Sequence, residues 1–149
     1  MLIFDLDDTI FPRLPDGFSE EQLRNIKPLP FVLEILKNSS TNVLVTKGDP
    51  KTQTKKIKIL NLEHYFLEIV VCSADHEKKE CFQRIMKKYP QQDLVIIGDR
   101  LDSEIRYGNE LGLKTIRIKR GKYKDLQPKD KYEIPHHEIN TFAELEKIL

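Results

Sequence analysis

Apolar and polar residues fall in blocks along this chain, and the block lengths separate strands from helices. Five short apolar runs stand out: Leu2–Leu6, Val43–Thr46, Ile69–Cys72, Leu94–Gly98 and Thr115–Ile118. Runs this short, rich in β-branched residues, predict strands. The first four are almost continuously apolar, as strands covered on both faces of a parallel sheet should be. Thr115–Ile118 (TIRI) alternates instead, which predicts an edge strand. Helical spacing fills the gaps. Pro30–Asn38 carries Phe31, Val32, Ile35 and Leu36, and Lys51–Leu60 carries Ile57 and Leu60. Glu77–Tyr89 sets Phe82, Ile85, Met86 and Tyr89 on one face. Asp102–Leu111 has Ile105, Tyr107 and Leu111, with Gly112 as a stop. Thr141–Leu149 opens on Thr-Phe-Ala-Glu, a capping-box pattern. Strands alternating with helices predict an α/β fold. The sheet should be doubly wound, Rossmann-like and mainly parallel, with helices on both faces and right-handed crossovers.

Two stretches break the rhythm. Ile10–Lys27 reads FPRLPDGF and then a short helix candidate, SEEQLRNI. Lys119–His136 is polar and basic in its first half, and reads as a solvated loop. Composition narrows the class. A chain of 149 residues with 39% hydrophobic and 33% charged residues is sized for one domain with its own core. The 25 basic residues balance 24 acidic ones, so no long-range attraction for nucleic acid or anionic lipid is expected. No apolar run approaches the roughly 18 residues of a membrane span. Cys72 and Cys81 make neither a disulfide framework nor a CxxC metal site. The four histidines read as surface or structural. The first residues lack signal-peptide character, so the expected compartment is the cytoplasm.

Ligands of doubly wound sheets bind beyond the carboxyl ends of the strands. There the sequence sets Asp5, Asp7, Asp8 and Thr9 after the first strand and Thr46-Lys47-Gly48 after the second. Lys78 and Lys79 open the helix after the third. Asp99 ends the fourth, with Arg100 beside it and Asp102 and Glu104 following. Crowded carboxylates repel, and one should hold a raised pKa unless a cation joins them. Asp5 and Asp99 should lie on neighbouring strands, within reach of one hard ion such as Mg2+. Thr46 can donate to a phosphate oxygen, and a lysine can neutralise it. Such parts suit phosphoryl transfer. Asp8 should point away from Asp5 and Asp7, capping or solvating the turn.

The ordered set resembles the haloacid dehalogenase-like (HAD) hydrolases. DLDDT at Asp5–Thr9 is similar to the Asp-x-Asp-x-Thr of motif one. VLVTKG resembles motif two, a lysine before an apolar helix face motif three, and VIIGDRLDSEI motif four. The resemblance extends over nearly the whole chain and implies specific roles. Asp5 would be the nucleophile, forming an aspartyl-phosphate. Asp7 would be the acid for the leaving group and then the base for water, as in the phosphatase branch. Mg2+ would be held by Asp5, Asp99 and the backbone carbonyl of Asp7. Thr46, with the backbone N–H of Lys47, would bind the phosphoryl group. Motif three is Lys78 or Lys79, with Lys78 preferred. The second acid of motif four is Asp102 or Glu104, and the family spacing points to Glu104, at the ion directly or through water or lysine. Arg100 and Arg13 could help to hold an anionic substrate, or be plain surface charge.

Family members often insert a cap domain after motif one or motif two. Here Ile10–Lys27 suits only a flap with one short helix, so residues 1–149 read as a single catalytic domain with a mini-insert at about 10–27. The partner implied is a phosphorylated substrate, small or macromolecular. A second copy of the chain could cover so open a site. The competing reading is a catalytically silent regulatory or assembly subunit on the same fold.

Overall fold

The computed structural model describes residues 1–149. Six strands form one sheet in the order β3-β2-β1-β4-β5-β6, and every pairing is parallel. They are β1 (Leu2–Phe4), β2 (Asn42–Lys47), β3 (Glu68–Cys72), β4 (Val95–Gly98), β5 (Lys114–Ile118) and β6 (His137–Ile139). The helices are α1 (Glu20–Arg24), α2 (Val32–Asn38), α3 (Pro50–Ile59), α4 (Glu77–Lys88) and α5 (Arg106–Glu110).

Successive strand side chains point to opposite faces, and both faces are covered. Phe4, Leu44, Ile97 and Ile116 pack on one side with α2, α3 and the C-terminal Phe142 and Leu145. Ile3, Val43, Val45 and Ile96 pack on the other with Phe82 and Ile85 of α4. This two-sided burial is why the central strands read as unbroken apolar runs. Chain order reverses between β1 and β4, so β1 has a crossover leading away on each side. That reversal opens a crevice at the carboxyl ends of β1 and β4.

Three expectations need correction. Thr115–Ile118 is not an edge strand, because β6 pairs with β5 and takes the edge. Its polar positions are buried and bonded rather than solvated: Arg117 donates to Glu138 at 3.0 Å and to the Tyr123 and Lys124 carbonyls at 2.8 and 3.1 Å. Lys119–His136 is not a simple solvated loop. It contains two 3-10 turns, Gly121–Tyr123 and Lys131–Glu133, and the buried Glu133 accepts from Arg106 Nη2 at 2.9 Å. The last segment is a 3-10 turn, Phe142–Lys147, on which Thr141 makes no side-chain cap. Glu144 instead accepts from the Asn140 N–H at 3.3 Å. Gly112 does stop α5, in the left-handed region at φ 72°.

After β1 the chain makes a tight turn and runs out as a flap. Asp8 is the fastening. It is buried with φ 57°, a conformation that aspartate tolerates better than most residues. Its carboxylate accepts from the Arg13 and Lys122 backbone N–H groups at 3.0 and 3.1 Å and from Arg120 Nη1 at 3.2 Å. Its bonds are to Arg13, Arg120 and Lys122, and it is a buried junction of three segments, not a solvated cap. Beyond the flap, Ser19 and Gln22 form a reciprocal capping box that starts α1. No large cap stands over the sheet.

Candidate active site

Asp5 leaves β1 at the crevice, where its N–H still donates to the Ile97 carbonyl at 3.0 Å. Asp99 leaves β4 beside it. α4 begins next to the same edge and drives Lys78 inward, because Lys78 shares its buried face with Phe82 and Ile85. Lys78 Nζ donates to Asp5 Oδ1 at 2.9 Å and also to Glu104 Oε1. Lys79 points elsewhere and pairs with Glu110 at 2.7 Å. The two lysines left open by the sequence are thereby distinguished: only Lys78 reaches the carboxylates.

Glu104 comes from a π-turn, Leu101–Ile105, that widens the chain just before α5. It is buried, and it also accepts from Ser103 Oγ and the Arg100 N–H, each at 3.2 Å. Gly98 makes room for it, since a Cβ there would lie 2.7 Å from Glu104 Cγ. Asp102 turns outward and accepts from Arg100 Nε at 3.0 Å. Of the two acids, Glu104 is the one that joins the cluster.

Carboxylate oxygens of Asp5, Asp99 and Glu104 lie within 4.8 Å of one another, all on buried residues. One lysine faces three acids. Asp99 is 3% exposed, and its carboxylate receives no hydrogen bond. Burial pushes it up to about 9, with Glu104, Asp5 and Asp8 adding to the rise. Burial also raises Asp5, Lys78 pulls it back, and Glu104 and Asp7 push it up again, to about 7. Burial alone would lower the Lys78 ammonium, but Asp5 and Glu104 outweigh it and drive it above the usual lysine range. A buried acid without a donor, beside two others, fits a hard divalent cation, which oxygen ligands satisfy.

This gives a stability prediction. A carboxyl whose folded pKa lies above its unfolded value binds its proton more tightly when folded. Its contribution is full below about pH 4 and is lost as pH rises through the folded value of Asp99, near 9. With EDTA present, the melting temperature should fall from pH 6 to pH 9. Mg2+ should raise it most at the alkaline end. A metal-independent melt across that range would argue against a cation at these acids.

Asp7 lies at the cavity floor, outside the three-acid group. Its Oδ2 accepts from Gln53 Nε2 at 2.9 Å and its Oδ1 from Lys56 Nζ at 2.7 Å. Thr46 is buried at the end of β2, its Oγ1 accepting from the same Gln53 amide at 2.8 Å. Lys47 is the exposed end of β2, with Nζ 3.9 Å from Asp75. Arg100 is partly exposed and tied to Asp75 at 2.9 Å, and its guanidinium lies 4.6 Å from the Tyr123 ring centre. Arg13 comes from the flap, 5.9 Å from the same ring. All of these except the buried Thr46, which lies behind Gln53, line one cavity of about 410 Å³ that also contains Asp5, Lys78 and Asp99.

Gln53, Lys56, Asp75 and Tyr123 escaped the sequence reading. A signal did exist for two of them. Gln53 and Lys56 share the inward face of α3 with Ile57 and Leu60, and polar residues at core-facing positions call for a partner. Asp75 and Tyr123 sit in turns with no periodicity to betray them.

Comparison with known proteins agrees with the geometry. The HAD-hydrolase-like family model matches residues 77–145. Glyceraldehyde 3-phosphate phosphatase from Methanopyrus kandleri is 31% identical over 140 residues, covering 87% of this chain and 59% of the relative. Human N-acylneuraminate-9-phosphatase is 30% identical over 113 residues, covering 72% of this chain and 44% of that protein. The chain thus spans about half the length of the curated relatives it matches. Among solved structures, YfnB from Bacillus subtilis bound to magnesium superposes with a TM-score of 0.72 at 19% identity, over 99% of this chain and 97% of that one. A HAD-like hydrolase from Streptococcus pneumoniae gives 0.73 at 15% identity, over 99% and 96%. A doubly wound parallel sheet with acids gathered at its carboxyl edge is the frame of a hydrolase class. The chain belongs to the HAD-like hydrolases.

Proposed function

We propose that this chain hydrolyses a phosphate monoester, with Asp5 as nucleophile, through an aspartyl-phosphate. The observation that carries this reading is the Asp5 carboxylate, buried at a strand end and held by Lys78 at 2.9 Å beside the donor-free Asp99. The phosphatase names of the relatives support the same reaction class.

In the first half-reaction an Asp5 oxygen attacks phosphorus while the bond from phosphorus to the leaving oxygen breaks. Asp7 gives that oxygen a proton. In the second, Asp7 takes a proton from water as the water oxygen attacks phosphorus. The bond to Asp5 breaks, inorganic phosphate leaves, and the Asp5 carboxylate is restored. Splitting one displacement into two easier ones is the gain of covalent catalysis. Thr46 and the Lys47 N–H would hold phosphoryl oxygens, with Lys78 neutralising charge. Asp5, Asp99 and the Asp7 carbonyl would hold Mg2+, with Glu104 alongside and seating Lys78. Bound there, Mg2+ would supply positive charge against the phosphoryl oxygens. Arg100 and Arg13 would face the rest of the substrate, a small phosphorylated molecule to judge by the cavity of about 410 Å³.

The test is phosphate release from 4-nitrophenyl phosphate and a panel of triose, sugar and glycerol phosphates. Release should require Mg2+, fall to background in EDTA and return when Mg2+ is restored in excess. No turnover on any ester with Mg2+ would instead favour a catalytically silent subunit.

A further inference from the structure

Both oxygens of the Asp7 carboxylate are taken by one helix. Gln53 and Lys56 stand one turn apart on α3, spacing that puts side chains on a common face. Gln53 Nε2 reaches Asp7 Oδ2 at 2.9 Å, and Lys56 Nζ reaches Oδ1 at 2.7 Å. Neither donor is free to wander. A Cβ on Gly48 would lie 2.9 Å from Gln53 Cγ, so the bare glycine backbone packs on the Gln53 stem. The Lys56 side chain is 9% exposed. Its ammonium sits 5.6 Å from the Phe11 ring centre and 5.9 Å from that of Phe18, and Asp7 is its one carboxylate partner. A lysine is rarely buried this far without a specific partner.

We propose that Gln53 and Lys56 are positioning residues that fix the Asp7 carboxyl at the leaving-group oxygen, so that proton donation depends on them. The inference rests on the phosphatase reading above. An aspartate on a turn can rotate among three staggered χ1 wells. Two hydrogen bonds, one to each oxygen, select a single well. A general acid works only within hydrogen-bond reach of the atom it protonates. Without the clamp, Asp7 spends most of its time out of reach. The chemistry then predicts a selective defect. An aliphatic alkoxide is a strong base and needs its proton as the P–O bond breaks. The 4-nitrophenolate ion leaves without one. Loss of Asp7 alignment should therefore harm phosphoryl transfer from aliphatic esters and spare it from the nitrophenyl ester, while the later attack of water, common to both, slows alike; kcat/KM, which runs only to departure of the leaving group, isolates the difference. If Lys56 acted by neutralising the phosphoryl group instead, both esters would suffer equally.

The experiment compares Lys56→Met, Gln53→Met, Asp7→Asn and the Lys56→Met/Asp7→Asn double variant with wild type. Substrates are 4-nitrophenyl phosphate and the best aliphatic ester of the panel. Each single clamp variant should lose roughly 10- to 100-fold in kcat/KM on the aliphatic ester, within the range that general acid catalysis contributes. Its kcat/KM on the nitrophenyl ester should fall less than about 3-fold, since that leaving group needs little acid help. The double variant should be no slower than Asp7→Asn alone, as expected of residues acting through one group. Equal losses of kcat/KM on both esters, or additive losses in the double variant, would overturn the proposal. So would loss of a cooperative melt in both single clamp variants, which would assign them a structural role only. Wild-type turnover of neither ester would sink the phosphatase reading itself, and the clamp with it.

Discussion

Asp5→Asn should abolish phosphate release, by more than about 1,000-fold on any ester the wild type accepts, if Asp5 is the nucleophile as proposed, since removing a nucleophile leaves only residual catalysis. An amide keeps the shape of the side chain but cannot form the acyl-phosphate bond. The fold should survive. Asp5 is one of three crowded acids, and Lys78 keeps Glu104 as a partner after the change. Burial already works against the Asp5 charge, pushing the group up to about 7. In EDTA the melting temperature of the variant should be no lower than that of wild type, measured by circular dichroism. Retained activity in a folded Asp5→Asn protein would mean that another group attacks phosphorus.

Lys78→Met should carry the largest loss of stability. Lys78 is 3% exposed and bonded to two buried carboxylates. Removing one partner of a buried ionic group strands the others, a change that costs about 3–5 kcal/mol. Urea unfolding near neutral pH would read this directly. Its neighbour supplies the control. Lys79 is 39% exposed at the side chain and pairs with Glu110 near the surface, so Lys79→Met should cost less than about 1 kcal/mol. Phosphate release should collapse with Lys78→Met and persist with Lys79→Met. Similar stabilities for the two variants would contradict the buried triad.

The two lysines also show what the sequence could and could not say. Apolar spacing was enough to outline α4, yet 78 and 79 each shared a face with apolar residues. Only the packed angle of the helix against the sheet decides which enters. Strand-end positions of Asp5, Thr46 and Asp99 were legible because a parallel sheet delivers its carboxyl ends to one edge. Glu104 needed a family spacing, since a π-turn shifts the helical phase just where it is formed. β6 was missed because HEI is three residues long and two of the three are polar and exposed. Without it the partners of Thr115 and Arg117 were not visible: His136 just before β6 bonds Thr115, and Glu138 on it bonds Arg117. The clamp on Asp7 links residues 46 and 49 positions apart, and no local pattern encodes that contact.

The flap is tied down firmly at its root and only lightly at its far end, where the ion pair is exposed. Its root is bonded to Asp8, which also grips the Arg120–Lys122 stretch. Its far end runs into α1, where Glu20 pairs with Lys55 of α3 at 3.0 Å, and Phe18 lies beside Lys56. A segment rooted this way would act as a collar rather than swing as a door. Substrates would be sorted by whether they pass a fixed aperture, and product could escape without waiting for a hinge to swing. Selectivity would then be changed most directly by residues on the inner rim, such as Arg13 and Tyr123, and little by altering chain flexibility elsewhere.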